Sequence, residues 1–303
     1  MKKIAFAVHG GASCNTPFLK KHIKETEEGL AYATRLGYKI LSRGGSALDA
    51  VEHAVKYLED NPLFNAGRGS ALNSMGKVEM DASIMNGKNL KAGAVALVHG
   101  VKNPISLARV VMKKTNHVFL SGSGALDVAR SEGILFEPEA YFITENQYDA
   151  FQKANKHQVS HKIFKKKMHG TVGAVALDKR GNIAAGTSTG GTSNCLPGRI
   201  GDTCVIGAGC YANNNTCAVS GTGEGEYLIT GVIAHSISMM TELNLSIQDA
   251  CDYVLFTRNK TIKADIGVIA VSPNGDIGIA FNTQVMKRAW MSSTDDLHVK
   301  IFK

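Results

Sequence analysis

A threonine follows a glycine at Gly170-Thr171, at the head of the run HGTVGAVALD over 169–178. The run is strand-like from Val172, and the lysine-rich stretch before it shows no periodicity. If the Gly170–Thr171 peptide bond were cut, Thr171 would carry a hydroxyl and a free α-amine. A hydroxyl is a poor nucleophile without a base in reach. An α-amine has a pKa of about 7.7–8.0 against about 10.4 for lysine, so roughly a tenth of it is free base at neutral pH. The second Cβ substituent of threonine also restricts χ1 and holds the oxygen in place. The pair implies a chain that cuts itself and then uses the new terminus to hydrolyse amides. A threonine that merely opens a strand reads the same way in isolation, so its surroundings decide.

Thr187-Ser188-Thr189-Gly190-Gly191 ends the next strand-like run. In a hairpin the end of the second strand lies beside the start of the first, which predicts that Thr189 approaches Thr171. The alternative is an ordinary polar turn. Leu196-Pro197-Gly198-Arg199-Ile200-Gly201-Asp202 sets a cation and an anion three residues apart in a glycine-rich loop. That pair suits a zwitterion, with Arg199 forked on an α-carboxylate and Asp202 accepting from an α-ammonium. A local surface salt bridge is the alternative. Gly221-Thr222-Gly223-Glu224-Gly225-Glu226 opens a helix by pattern. The Thr222 hydroxyl and Gly223 N–H would then sit at its positive end, suited to a developing oxyanion, unless Thr222 is a plain cap.

The elements that must position these residues follow from periodicity. Ile4 to Val8 reads as a buried strand ending at His9-Gly10-Gly11-Ala12. Apolar residues at helical spacing fill 20–42, and Ser46 with Asp49 forms a capping-box pattern ahead of a second helix. Val78 to Met85 and Ala92 to Val98 read as paired strands, 104–113 and 124–132 as helices, and Val118 to Leu120 as a short strand between them. Residues 145–170 read as a loop or linker. Beyond it, Val172–Leu177 and Ile183–Thr187 form a hairpin, and Val205–Cys210 and Thr216–Ser220 continue the sheet. Helices are expected near 225–241 and 246–257, and a last hairpin pairs Ile266–Val271 with Asp276–Phe281. Many short hairpin connections imply mainly antiparallel sheets with helices outside, an α+β chain built as a four-layer αββα sandwich. A doubly wound parallel sheet would need a crossover between nearly every strand pair. No domain boundary is visible in 1–303.

The chain has 303 residues, a net charge of +8 and a pI of 9.1. Six lysines, three histidines and no carboxylate fall within 151–170, so only +2 remains without that segment. The charge is therefore local, which argues against a nucleic-acid face. The six cysteines form no C-x-x-C pair and show no zinc spacing, so free thiols in a reducing compartment are expected. The start has too few apolar residues for a signal peptide, and no run is long enough to span a membrane. A cytoplasmic protein acting on a small molecule is the expectation.

The motifs HGGA (9–12), FNAGRGSALN (64–73), MDASIMNG (80–87), KAGAV (91–95), GTVGAVALD (170–178), TSTGG (187–191), PGRIGD (197–202), GAGCYANN (207–214) and GTGEGE (221–226) together resemble the plant-type asparaginase / isoaspartyl peptidase family. Its members are N-terminal-nucleophile (Ntn) hydrolases, and the resemblance covers essentially the whole chain with spacing intact. It implies the Ntn-hydrolase fold and autoproteolysis between Gly170 and Thr171. The products would be an α chain, 1–170, and a β chain, 171–303. It implies hydrolysis of L-asparagine and β-aspartyl (isoaspartyl) dipeptides by Thr171, with Thr222 and Gly223 at the oxyanion and Thr189 tuning the nucleophile. Asn65 would act in the oxyanion region or in precursor cleavage, and Arg199 and Asp202 would anchor substrate. It also implies no catalytic cofactor and a structural sodium on backbone carbonyls of Leu58, Glu59, Asn61, Phe64, Ala66 and Arg68. The expected assembly is a homodimer, an αβ heterotetramer after cleavage.

The chain departs from the family pattern in two places. Lys263-Ala264-Asp265-Ile266-Gly267-Val268-Ile269 stands where a GGxGGL-type stretch is usual, and the segment before Gly170 is unusually basic. Two other enzymes fit less well. A lysosomal glycosylasparaginase calls for a signal peptide and a different sequence around the nucleophile. A threonine protease of large proteins calls for a longer chain and a more open site. A basic binding protein would need its charge on a structured face.

Overall fold

The computed structural model describes residues 3–156, 170–258, 260 and 264–303. Strand β1 (Ala5–Ser13) leads through the short α1 (Pro17–Lys21) into α2 (Ile23–Ser42) and α3 (Ala47–Asp60). Strands β2 (Met80–Asn86) and β3 (Ala92–Val98) follow, then α4 (Pro104–Lys114), β4 (Phe119–Ser121), α5 (Gly122–Ser131), α6 (Glu139–Phe142) and α7 (Glu145–Lys156). The second half holds β5 (Val172–Leu177), β6 (Ile183–Thr189), β7 (Cys210–Ala212) and β8 (Ala218–Gly223). Then come α8 (Gly225–Gly231), α9 (Ile233–Glu242), α10 (Ile247–Asp252) and a π-helical turn at Tyr253–Arg258. The chain ends in β9 (Ile266–Val271), β10 (Ile277–Phe281), β11 (Val285–Ser292) and β12 (His298–Phe302).

One sheet has eight strands in the order β12-β11-β1-β5-β6-β2-β3-β4, and a second has four in the order β10-β9-β8-β7. The pair β3–β4 is parallel, and the other pairs within these sheets are antiparallel. Strands β5 and β6 insert between β1 and β2, so both halves of the chain build the large sheet.

Side-chain alternation shows how the sheets are covered. Phe6 and Val8 of β1, with Val172, Ala174 and Ala176 of β5, join a core shared with Leu30 of α2 and Val51 of α3. Their neighbours Ala5, Ala7, Val175 and Leu177 join a different core with Ala218, Ile269 and Val271 of the small sheet. The small sheet repeats the pattern, since Val219, Val268 and Ala270 turn outward to pack with Leu228, Ile237 and Ala250 of α8–α10. Period-two burial on both faces is what a strand covered on both sides requires.

Local signals place the helices. Ser46 caps α3 by accepting from Asp49 N–H at 3.1 Å and donating to Asp49 Oδ2 at 2.6 Å. Asp178 fixes the β5–β6 turn, accepting from Arg180 and Asn182 N–H through Oδ1 and from Ala47 N–H through Oδ2. The turn is thereby tied to the start of α3.

Several expectations need correction. Residues 145–156 form α7, although 145–170 was expected to be loop throughout. This helix is strongly polar and buries little, so it carries no clear apolar period; its Gln147 Nε2 donates to the Gly69 carbonyl. The rest of the expected linker, 157–169, lies outside the described residues. Strands β11 and β12 were not anticipated, because Lys287 and Arg288 interrupt the apolar run and pairing with β1 supplies the order instead. Residues 205–209 form a bend and turn with a single bridge from Ile206 to Cys210, and only Cys210–Ala212 forms strand. The helix expected over 225–241 breaks at Val232, which takes φ 47°. The one expected over 246–257 passes into the π-helical turn.

Helix α4 lies almost on the backbone of β3. A Cβ at Gly93 would sit 2.0 Å from the Ala108 carbonyl oxygen and 2.7 Å from Met112 N. Gly93→Ala forces α4 off the sheet and is expected to destabilise the protein by about 1–3 kcal/mol, read as a lower urea midpoint. An unchanged midpoint would show that this contact is not tight in solution.

Candidate active site

The β5–β6 register sets the centre of the site. Val172 pairs with Ser188, so Thr171, just ahead of β5, faces Thr189 at the end of β6. The Thr171 hydroxyl donates to Thr189 Oγ1 at 3.3 Å, and both residues are buried. Thr189 in turn donates to the carbonyl oxygen of Gly170 at 3.0 Å. Asn65 Nδ2 donates to the same oxygen at 2.8 Å and to the Gly191 carbonyl at 2.7 Å. Asn65 is itself aimed by Ala71 N–H, which donates to its Oδ1 at 2.7 Å. The Gly170 carbonyl therefore has two converging donors, with a hydroxyl nucleophile on the adjacent residue. Such donors stabilise charge that develops on an attacked carbonyl.

The other side of Thr171 is braced by β1 and β8. His9 Nδ1 lies 3.0 Å from the Thr171 carbonyl oxygen, so that nitrogen is the donor. Its Nε2 lies 2.8 Å from Ser220 Oγ, which is 2.7 Å from Thr187 Oγ1. Burial pushes His9 down to about 3, so the ring is neutral and accepts at Nε2 from Ser220. Gly173 makes room for this chain: a Cβ there would sit 2.0 Å from Ser220 Oγ and 2.5 Å from His9 Nε2. His9 was not singled out as a site residue, although it opens the motif HGGA. Its signal was a histidine where the apolar run ends in the sequence; the strand itself continues to Ser13.

Thr222 is part of strand β8, not a cap of the helix that follows, and its Oγ1 accepts from Ala12 N–H at 3.1 Å. That leaves its own proton to give. Neighbouring Gly11 approaches so closely that a Cβ there would lie 3.0 Å from Thr171 N. Gly223 has φ 130°, and a Cβ there would lie 2.2 Å from the Asp265 carbonyl oxygen, so glycine is required.

Arg199 and Asp202 come together beside the start of α8, where a Cβ on Gly225 would meet both side chains at 2.8 Å. They do not simply pair with each other. Arg199 donates through Nε and Nη2 to Glu226 at 3.1 and 2.9 Å. Asp202 is buried with Oδ2 lacking a hydrogen-bond partner among the described residues, and burial raises it to about 7. A buried carboxylate oxygen without a donor is a place for an incoming cation. Asp81 of β2 pins this loop, accepting from Gly201 N–H at 3.3 Å, and Ser83 donates to the Thr203 carbonyl at 2.5 Å. Neither residue was predicted to matter.

The loop 58–68 is closed by Arg68 N–H donating to the Glu59 carbonyl at 2.7 Å. Among the described residues no cluster of His, Cys, Asp or Glu has metal-binding geometry.

A family model described as "Asparaginase" matches residues 2–301. The chain is 41% identical to an "Isoaspartyl peptidase" of Salmonella typhimurium over 312 aligned positions, covering all of both chains. It is 44% identical to an "Isoaspartyl peptidase/L-asparaginase" of Bos taurus, covering 95% of this chain and 92% of that protein. To the human protein of the same description it is 45% identical, covering 89% and 87%.

Glu59 supports β6 from below. Its Oε1 accepts from Ser188 Oγ at 2.6 Å and from Ile105 N–H at 2.9 Å, and burial raises it from 4.5 to about 8. A raised carboxyl stabilises the fold fully below its unfolded value and loses that contribution as pH climbs through its folded value. Between 4.5 and about 8 the native protein should therefore lose stability relative to Glu59→Gln. Urea unfolding at several pH values, with Thr171→Ala in both proteins to keep each chain whole, would reveal it. Equal pH slopes would mean that Glu59 is charged in the fold.

Proposed function

The chain belongs to the asparaginase family, and on that premise we propose that it is an autoprocessing amidohydrolase. It cuts its own Gly170–Thr171 bond and then releases L-aspartate from L-asparagine and β-aspartyl dipeptides. The observation that carries this reading is the Gly170 carbonyl held by Asn65 and Thr189 beside the Thr171 hydroxyl. The packing of helices, large sheet, small sheet and helices supports a four-layer αββα sandwich of the Ntn-hydrolase type.

In the precursor, Thr171 Oγ1 attacks the Gly170 carbonyl carbon. Its proton passes along the hydrogen bond to Thr189 as Thr189 gives its own to the Gly170 oxygen, and the charge developing on that oxygen is met by Asn65 and Thr189 together. Collapse breaks the C–N bond, transfers the proton to the nitrogen of Thr171 and leaves an ester on its oxygen. Water then hydrolyses the ester. The α chain ends at Gly170, and the β chain begins at Thr171 with a free amine.

In turnover that amine is the base. Thr171 Oγ1 attacks the side-chain carbonyl of asparagine or the isopeptide carbonyl of a β-aspartyl dipeptide. The amine takes the proton and gives it to the leaving amine, and water releases aspartate from the acyl-enzyme. The Thr222 hydroxyl and Gly223 N–H stabilise this second oxyanion. Asp202 receives the substrate ammonium at its unpartnered oxygen. Arg199 receives the α-carboxylate as the half-exposed Glu226 yields its place.

A sodium ion fits the loop. The carbonyls of Phe64, Ala66 and Arg68 accept no hydrogen bond among the described residues, whereas those of Leu58, Glu59 and Asn61 accept one N–H each and keep a lone pair. The ion would order the loop that carries Asn65 and supply no step of the chemistry. A cytoplasmic homodimer, αβ-paired after cleavage, is part of the same proposal; among the described residues no helix is long and apolar enough to cross a membrane.

On a denaturing gel the protein should resolve into two bands, with the smaller beginning at Thr171 on sequencing. Thr171→Ala should stay whole and release neither ammonia from asparagine nor leucine from β-Asp-Leu. Native protein that remains one chain and is no more active than Thr171→Ala would overturn the reading. Asn65→Ala removes one donor from the Gly170 carbonyl and should slow self-cleavage about 10²-fold, followed on freshly purified precursor by gel. Cleavage at the native rate would remove Asn65 from that role.

A further inference from the structure

A cavity of about 70 Å³ opens beside Gly170, lined in part by Ser13, Thr16, Asn65, Asn146 and Lys287. None of Arg199, Asp202, Thr222 or Gly223 lines it, so it is separate from the aspartyl anchors and borders the scissile bond through Gly170. Its one charged lining residue among those described is Lys287, on β11. No acidic group lines the cavity, and no hydrogen bond or ion pair engages the Lys287 ammonium among the described residues. The ammonium instead sits 5.6 Å from the Phe64 ring centroid. It is near enough to His9, which holds the Thr171 carbonyl, to depress that ring's basicity. The side chain keeps some solvent contact through the cavity, yet its charged end is desolvated and lowered to about 8. An ammonium held beside Gly170 with no counter-ion among the described residues calls for an anionic ligand.

The two substrate classes differ in what leaves. Asparagine loses ammonia, whereas a β-aspartyl dipeptide loses an amino acid whose α-carboxylate lies two bonds from the departing nitrogen. With the aspartyl part anchored at Arg199 and Asp202, the leaving residue needs space of its own, and the cavity that borders Gly170 offers it. We propose that Lys287 binds the α-carboxylate of the leaving residue, making the cavity a subsite for β-aspartyl dipeptides that asparagine does not occupy. This inference rests on the amidohydrolase reading above. Neighbouring Arg288 does not share the role, because it donates to the carbonyls of Met286 and Phe302.

The test uses fully processed enzyme, counted by the fraction of β chains beginning at Thr171. For Lys287→Met, the ratio of kcat/KM on β-Asp-Leu to that on asparagine should fall about tenfold or more, the loss of one charge-assisted contact, mostly through KM. Lys287→Arg should recover much of it. On native enzyme, β-Asp-Leu amide, which lacks the carboxylate, should be the poorer substrate by a similar factor. The amide comparison needs no variant, so it holds even where Lys287→Met fails to fold or process. Equal KM for acid and amide would overturn the proposal. So would a parallel loss on both substrates in Lys287→Met, which would assign Lys287 to the new Gly170 carboxylate or to the fold. Native enzyme inactive on both substrates would sink the amidohydrolase reading itself.

Discussion

The carbonyl oxygen of Gly170 accepts from Asn65 and Thr189 while the Thr171 hydroxyl donates to Thr189, and most of the molecule can be understood as what holds that arrangement. Three separate segments meet there: the loop after α3, the end of β6, and the residue ahead of β5. Each needs its own support. Asn65 is aimed by Ala71, β6 rests on Glu59 through Ser188, and the Thr171 backbone is held by His9 of β1. Groups this buried cannot rely on water to correct an error of placement, so the surrounding hydrogen bonds must do so.

The same burial sets the electrostatics. His9, Glu59, Asp202 and Lys287 are all pushed toward their neutral forms, in each case chiefly by desolvation. The consequences differ with position. His9 is hydrogen-bonded at both ring nitrogens and Glu59 at Oε1, and both serve as neutral struts. Asp202 has an oxygen left over beside Arg199, and Lys287 has a whole ammonium on the cavity beside Gly170. Burying polar groups without full partners costs stability, so a site that keeps an acid oxygen beside Arg199 and an ammonium beside Gly170 is arranged for a ligand with complementary ends.

Much of this was legible in the chain. Thr171, Thr189, Arg199, Asp202, Thr222 and Gly223 stand out because hydroxyls, glycines and charges break otherwise apolar runs, and short hairpins carry contact information in their spacing. The β5–β6 hairpin does place Thr189 on Thr171. His9 and Lys287 were missed for a common reason: each lies on a strand whose importance comes from distant partners. β1 is flanked by β11 and β5, more than a hundred residues away, and β11 lacks a clean apolar period of its own. Helix α7 was missed because its composition is strongly polar and offers few apolar residues to mark a period.

By itself, the sequence determined the local chemistry and the elements that carry it. A glycine before a threonine, a cation three residues from an anion, and strands alternating with period two are properties of neighbours, set by covalent geometry and burial. Tertiary structure decided everything that depends on which distant segments meet. It put Asn65 on the Gly170 carbonyl across 105 residues, engaged Arg199 with Glu226 ahead of any substrate, and brought Lys287 to the cavity beside Gly170. The physical reason is that side-chain contacts across a sheet are fixed by strand order and register. Those are settled by the burial of whole faces at once, and no short stretch of chain contains that information.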